Sequence, residues 1–358
     1  MGKIDILVSG TSKAFSPEVP ILESMPDFAS QFDNNMYNLV PNGKCKFLVL
    51  FNHEKNSYSN FIRAGGDPKC TVLIRLEPNT VFPAQYEKRI ANKYGLVISP
   101  GSKFSFEGGD SFIGWPYKYH PNPSKPRKDD DELSAVLNSN ALENLFSPEN
   151  WKQRSHKLVM IAGNKVSPIS ASNYGIRRRL AKTASASLLE VYGPLWNENL
   201  YFKGKHRVAV LVAAIKQGTL PNLLQIYGSL FTKYNTTRGL ISNKHILLKD
   251  TKFNLVIENS NTTVTEKIFD AMINGCIPIY MGPDLKCFGI PSGITIESPK
   301  SISEIARVIE NFSDEKIYSH LEAMKNFISG EHFKYNWHSE EVQKKISDLI
   351  KKHFESLS

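Results

Sequence analysis

The residues best placed for chemistry lie in one short stretch, Phe253-Asn-Leu-Val-Ile-Glu-Asn-Ser-Asn-Thr-Thr-Val-Thr-Glu-Lys-Ile-Phe-Asp-Ala-Met-Ile-Asn-Gly-Cys-Ile-Pro-Ile-Tyr-Met-Gly-Pro. An apolar run ends in Glu258-Asn259-Ser260, a short polar loop follows, and Thr265-Glu266-Lys267 opens a helical pattern. The carboxyl ends of parallel strands, beside helix N-termini, are where open α/β sheets bind ligands. Free N–H groups and the positive end of the helix dipole favour phosphate there. Lys267 adds a full positive charge in a first turn where a purely structural role favours an acid. Glu266 can accept hydrogen bonds from ribose or sugar hydroxyls, and Asn259 can donate to phosphate or sugar. The plainer alternative is capping, with Thr262 or Thr263 as the cap, Glu266 as its acid and Lys267 as a solvated charge. Spacing alone leaves both readings open.

These residues need an α/β scaffold, and the chain supplies one. Candidate strands at Ile4–Ser9, Phe47–Phe51, Thr71–Arg75 and Leu96–Ser99 are rich in Val, Ile, Leu or Phe, and apolar runs that do not alternate suit a sheet buried on both faces. Gln85–Tyr94 reads as a helix between them. After Trp151 the rhythm restarts with a strand at Leu158–Ala162, a helix at Tyr174–Ala186 and a strand at Leu188–Tyr192. Phe253–Glu258, a helix from Thr265 to Ile273 closed by Asn274-Gly275, and Ile277–Met281 complete a compact unit. The tail has helical spacing at Ser301–Phe312, Glu315–Ile328 and Ser339–Phe354. The expected division is 1–150, 151–338 and a C-terminal amphipathic helix at 339–358.

The segment from Glu258-Asn-Ser through Val264-Thr-Glu-Lys to Ile277-Pro-Ile-Tyr-Met-Gly-Pro resembles the signature of the α-1,3-fucosyltransferase family, inverting enzymes that use GDP-fucose. The resemblance extends more weakly upstream over Leu158–Gly193, and covers the first 150 residues in outline. It implies a GT-B-like fold, two Rossmann-like domains facing a cleft, with the nucleotide held mainly by the C-terminal one. Carried over residue by residue, it places Asn259, Glu266 and Lys267 at the donor, with Arg177 of Arg177-Arg178-Arg179 on the diphosphate. A guanidinium fork suits that leaving group, whereas Arg178 and Arg179 are expected on the surface. The family's loop between ENS and VTEK is longer and carries an aromatic residue; here only Asn261-Thr262-Thr263 intervenes.

Inverting transfer needs a base for the acceptor hydroxyl and positive charge on the departing diphosphate. In the family the base is a glutamate just past an N-terminal strand and shortly before a proline, which Thr71-Val-Leu-Ile-Arg-Leu-Glu77-Pro resembles. Glu77 is the first candidate, followed by Glu107 and Asp110, which flank Gly108-Gly109. His53 either lines the acceptor side or packs, and Trp115, Tyr117 and Tyr119 either stack on sugars or fill a core. No metal and no cofactor besides the GDP-sugar donor are implied, and Asp129-Asp130-Asp131 reads as a solvated charge run.

Composition bounds the rest. Lys plus Arg total 44 against 35 Asp plus Glu, a formal charge of +9, in 358 residues that are 41% hydrophobic. Such a chain can bury two cores. Cysteines at 45, 70, 276 and 287 have no metal-type spacing and fit a reducing compartment. A cytoplasmic location is expected, with no secretion signal in the first residues and no span of about 20 apolar residues. The stripe Val342, Ile346, Leu349, Ile350 and Phe354 beside Lys344, Lys345, Lys351 and Lys352 packs on the protein or touches the inner face of an anionic membrane weakly. The expected partners are therefore a GDP-sugar donor and a saccharide acceptor, of glycan or lipopolysaccharide type. The alternatives are a glycosyltransferase using another sugar nucleotide in surface-polysaccharide assembly, or a basic nucleic-acid-binding protein. Basic residues spread along the chain argue against nucleic acid.

Overall fold

A computed structural model describes residues 4–10, 28–32, 47–75, 77–100, 111–113, 141–167, 169, 172–197, 207–208, 211–212, 215, 232–337 and 339–357. The chain divides into two units, Met1–Asp131 with Lys334–Ser358, and Glu132–Phe333.

The first unit holds a six-stranded sheet of β1 (Ile4–Gly10), β2 (Phe28–Phe32), β3 (Phe47–Phe51), β4 (Thr71–Ile74), β5 (Leu96–Pro100) and β6 (Ser111–Ile113). The spatial order is β2-β1-β3-β4-β5-β6, and every pairing is parallel. That is a doubly wound order whose direction reverses between β1 and β3. The apolar runs are buried on both faces. Leu48, Leu50, Leu73 and Val97 pack with Tyr58 and Phe61 of helix α1 (Lys55–Arg63). Val49, Val72 and Ile98 pack on the other side with Ile346, Ile350 and Phe354. In place of one helix at Gln85–Tyr94 there is a 3-10 turn, Pro83–Tyr86, and a single helical turn α2, Lys88–Ala91. The Pro83 ring lacks an N–H and suits only a first turn.

The second sheet contains β7 (His156–Ile161), β8 (Glu190–Tyr192), β9 (Thr237–Gly239), β10 (Thr251–Ile257), β11 (Ile277–Met281) and β12 (Ile296–Glu297). Its order is β12-β11-β10-β7-β8-β9. Counted within the unit this is the Rossmann order 3-2-1-4-5-6, with the switch point between β7 and β10. The helices that position side chains there are α5 (Tyr174–Thr183), after β7, and α7 (Glu266–Ile273), after β10, while α6 (Lys244–Lys249) precedes β10. Helix α7 closes at Asn274-Gly275 as expected: Gly275 takes φ +61, its N–H reaches Met272 O, and the Cys276 N–H reaches Ala271 O.

Two features of the expected division change. Helices α3 (Ala141–Leu145) and α4 (Pro148–Gln153) join the second unit, placing the boundary at 131/132 instead of 150/151. Trp151 explains this, since its Nε1–H donates to Lys252 O at 3.0 Å and its ring meets Phe253 edge-on. Arg154 adds bonds to Thr251 O and Gly275 O. The final helix α11 (Ser339–Glu355), which follows α8 (Ile302–Glu310), α9 (Asp314–Ser329) and α10 (Glu331–Trp337), belongs to the first unit. Its apolar stripe is spent on the first sheet. Phe354 stacks on Phe47 at 3.9 Å between ring centres, and His353 Nε2 is 2.9 Å from Lys69 O.

Candidate functional site

The carboxyl edge of the second sheet gathers the donor candidates. Arg177, one turn into α5, is 2% exposed. Its guanidinium donates to Ile257 O from Nε at 3.1 Å and from Nη2, and to Asn259 Oδ1 at 2.9 Å. Helix α5 is thereby fixed to the end of β10. Asn173 strengthens the seam, its N–H donating to Asn259 O at 2.9 Å and its Nδ2 to Asn261 Oδ1 at 3.0 Å. Burial pulls the Arg177 pKa down, and nearby Tyr174, Glu258 and Glu266 oppose that. Within the described residues no carboxylate lies within ion-pair distance of this guanidinium. A buried cation without a contacting counter-ion is costly unless an anion joins it.

Glu258 is the hub on the other side of the loop and is fully buried. Its Oε1 accepts from the Thr265 N–H at 2.8 Å, and its Oε2 from Thr265 Oγ1 at 2.5 Å. Lys267 Nζ donates to Thr265 Oγ1 at 2.7 Å, 3.6 Å from Glu258 Oε2 and 3.8 Å from Glu266 Oε1. The capping alternative changes accordingly. The cap residue is Thr265, not Thr262 or Thr263, and the acceptor comes from Glu258 seven residues back. Glu266 sits at the first helical position. Lys267 is not a solvated charge, with its side chain 17% exposed.

A cavity of about 760 Å³ opens beside this loop. Asn173, Asn261, Tyr280, Gly282, Lys286 and Glu297 are among its lining residues. Tyr280 is 6% exposed, and burial together with the nearby Glu258 carboxylate raises its pKa well above the ordinary phenol value. Gly282 has no room for a side chain, since a Cβ there would lie 2.3 Å from the Tyr280 hydroxyl and 2.8 Å from Glu258 Cγ.

The second unit thus brings Arg177, Asn259, Glu266 and Lys267 around one loop. Arg178 departs from its expected surface place. It is 8% exposed and donates to Lys165 O at 2.6 Å, while Arg179 is exposed. In the first unit, Glu77 follows β4 and is half-buried. His53 packs, with Nδ1 2.6 Å from the Tyr94 hydroxyl, and burial, with Lys93 adding to it, lowers its pKa to about 4. Glu107, Asp110, the aromatics at 115, 117 and 119, and Asp129-Asp130-Asp131 lie outside the described residues. Sequence reasoning missed Glu258, Thr265 and Asn173 as site-building residues. Glu258 carried a signal, because a carboxylate ending an otherwise apolar strand is buried and must find donors.

No protein-family model matches the chain. An alpha-(1,4)-fucosyltransferase of Arabidopsis thaliana is 29% identical over 113 residues, 30% of this chain and 28% of that relative. A crystal structure of an alpha1,3-fucosyltransferase aligns over 99% of this chain and 90% of its own, with 15% identity and a TM-score of 0.52. The chain resembles the fucosyltransferase family. Its fold is GT-B-like, with two parallel-sheet units and C-terminal helices. The Anabaena protein HepE, in complex with UDP-glucose, aligns over 97% of this chain and 99% of its own, with 11% identity and a TM-score of 0.54.

Proposed function

We propose that this chain is an inverting glycosyltransferase that moves fucose from GDP-fucose to a hydroxyl of a saccharide acceptor. The observation that carries the reading is the buried Arg177 guanidinium at the switch point of the second sheet, held in place yet contacted by no carboxylate among the described residues. A diphosphate supplies the missing negative charge. The local match to a plant fucosyltransferase and the ENS, VTEK and IPIYMGP segments favour fucose as the sugar.

In this reaction the acceptor oxygen forms a bond to the anomeric carbon as the bond from that carbon to the diphosphate breaks. GDP leaves with the bonding electrons. Arg177 and Lys267 stabilise the charge developing on it, so the step needs no divalent cation. Glu266, half-exposed at the start of α7, accepts from sugar or ribose hydroxyls. Asn259 keeps its side-chain oxygen on Arg177, which leaves its amide to donate to the ligand. Glu77 takes the acceptor proton as base, and Glu107 and Asp110 are the further candidates for that role.

The likeness to HepE is of the same size as that to the fucosyltransferase, which makes another sugar nucleotide the second reading. Incubation with a panel of labelled sugar nucleotides and saccharide acceptors separates them. Transfer from GDP-fucose alone is the expected result, and transfer only from a non-GDP donor overturns the first reading. A chelator is expected to leave the rate unchanged. Salt-sensitive RNA or DNA binding without nucleotide-sugar binding would instead favour the nucleic-acid alternative. We place the protein in the cytoplasm on its cysteine usage, which fits a reducing compartment. Among the described residues no helix is long and apolar enough to cross a membrane.

A further inference from the structure

Three side chains converge on the main chain of a single residue at the carboxyl edge of the first sheet. The Glu77 N–H donates to Asn52 Oδ1 at 3.0 Å. The Glu77 carbonyl accepts from Gln85 Nε2 at 2.8 Å and from the Tyr86 hydroxyl at 3.0 Å. The three are tied to one another and to the sheet. Gln85 Nε2 is also 3.3 Å from Asn52 Oδ1, and Gln85 Oε1 accepts from the His53 N–H at 3.2 Å. Arg75, fully buried, donates from Nε to Gln85 O at 3.1 Å and from Nη1 to Ser99 Oγ at 3.0 Å, and lies 4.6 Å over the Tyr86 ring.

Asn52 reaches its place through an uncommon backbone. Its φ is +58, in the left-handed region that Asn tolerates better than most residues, while its N–H still extends the ladder to Ile74 O at 2.8 Å. Asn52 and Gln85 are 2% and 0% exposed. Buried amides in a strained turn are a costly way to end a strand if nothing depends on their geometry.

We propose that Asn52, Gln85 and Tyr86 form a positioning frame for Glu77, fixing both hydrogen-bonding groups of its main chain and so the point and direction from which its side chain leaves the backbone towards the acceptor hydroxyl. The proposal rests on Glu77 being the base. These residues act through the main chain of Glu77. Misplacing a proton-transfer group by about 1 Å costs on the order of a hundredfold in rate without weakening donor binding.

The test uses the full chain with GDP-fucose and its acceptor, comparing Asn52→Gly, Asn52→Asp, Tyr86→Phe and Glu77→Gln. Asn52→Gly permits the same φ but removes the acceptor for the Glu77 N–H, whereas Asn52→Asp retains one. Asn52→Gly and Tyr86→Phe are expected to lower kcat about 10- to 100-fold, with the KM for GDP-fucose within about twofold of wild type. Asn52→Asp should stay within about threefold in kcat, and hydrogen exchange at the Glu77 amide should speed up in Asn52→Gly alone of the two Asn52 variants. Wild-type kcat in both Asn52→Gly and Tyr86→Phe, with Glu77→Gln inactive, overturns the frame and leaves the base standing. Full activity in Glu77→Gln overturns the base assignment and the positioning role with it. Tyr86→Phe removes one oxygen from a half-buried ring, and so provides the answer if the Asn52 variants do not fold.

Discussion

Replacing Lys267 with Met separates a ligand-binding charge from a structural one. The substitution keeps most of the aliphatic stem and deletes the ammonium, whose one hydrogen bond among the described residues is to Thr265 Oγ1. Glu258 then loses a cation 3.6 Å away but keeps both bonds from Thr265, so its carboxylate is not stranded. Fully breaking a buried ion pair costs about 3–5 kcal/mol and an exposed pair at most about 1 kcal/mol. With the lysine side chain 17% exposed and no direct bond to the carboxylate, the stability cost falls between them, at about 1–2 kcal/mol. In a unit of this size that is a fall of roughly 2–8 °C in Tm, which leaves the protein folded at 25 °C. Loss of one charged donor to a departing diphosphate costs about 3–4 kcal/mol in the transition state, or 10²- to 10³-fold in kcat. Steady-state kinetics, GDP calorimetry and thermal melts on the same preparations give both numbers. A variant within twofold of wild type in kcat/KM refutes the role of Lys267. So does a fall in Tm beyond about 15 °C, which would make the charge primarily structural.

Three further outcomes follow from named contacts. His53 titrates near 4 in the fold against 6.5 when exposed, so the unfolded chain binds the extra proton and stability falls as pH drops from about 6.5 towards 4. Urea unfolding should show about 2 kcal/mol less stability at pH 5 than at pH 7, and His53→Gln should flatten that difference; an equal slope in the variant refutes it. Gly282→Ala forces a methyl against the Tyr280 hydroxyl and Glu258 Cγ, and should cost about 1–3 kcal/mol and weaken GDP binding in calorimetry. Wild-type affinity in a folded variant means that the contact relaxes freely. Deleting residues 339–358 uncovers the sheet face now closed by Ile346, Ile350 and Phe354, and should give an aggregating protein in size-exclusion chromatography. The intact chain should not co-sediment with anionic liposomes through that helix, because its apolar stripe is already buried; strong co-sedimentation refutes this.

The strands that pack from both faces were legible because burial on two sides leaves an unbroken apolar run, as in Phe47–Phe51. The turn after α7 was legible for a local reason, since Asn274-Gly275 supplies a left-handed residue where a helix must end. The short edge strands Phe28–Phe32, Ser111–Ile113 and Ile296–Glu297 carry no such run, and each is a strand only because it pairs with β1, β5 or β11 beside it. The destination of the last helix was also illegible. Its stripe shows that something covers it, but periodicity holds no address, and membrane, second unit and first sheet fit equally.

The same distinction separates the two halves of the site. Around the second sheet, Glu258 through Lys267 are local in sequence, so a motif could display them together, and Arg177 joins them across 80 residues only because α5 crosses the end of β10. Around Glu77 nothing is local. Asn52 lies 25 residues before it and Gln85 eight after, and neither type is distinctive in a turn-rich stretch. Their meaning comes from burial. An amide in water is interchangeable with its neighbours, but one with 2% or 0% exposure is held to a few partners, and these two share theirs with the main chain of one glutamate. A frame of that kind restricts a glutamate through its main chain. Substitutions within it should therefore alter turnover more than affinity, and substitutions at Lys267 should alter both.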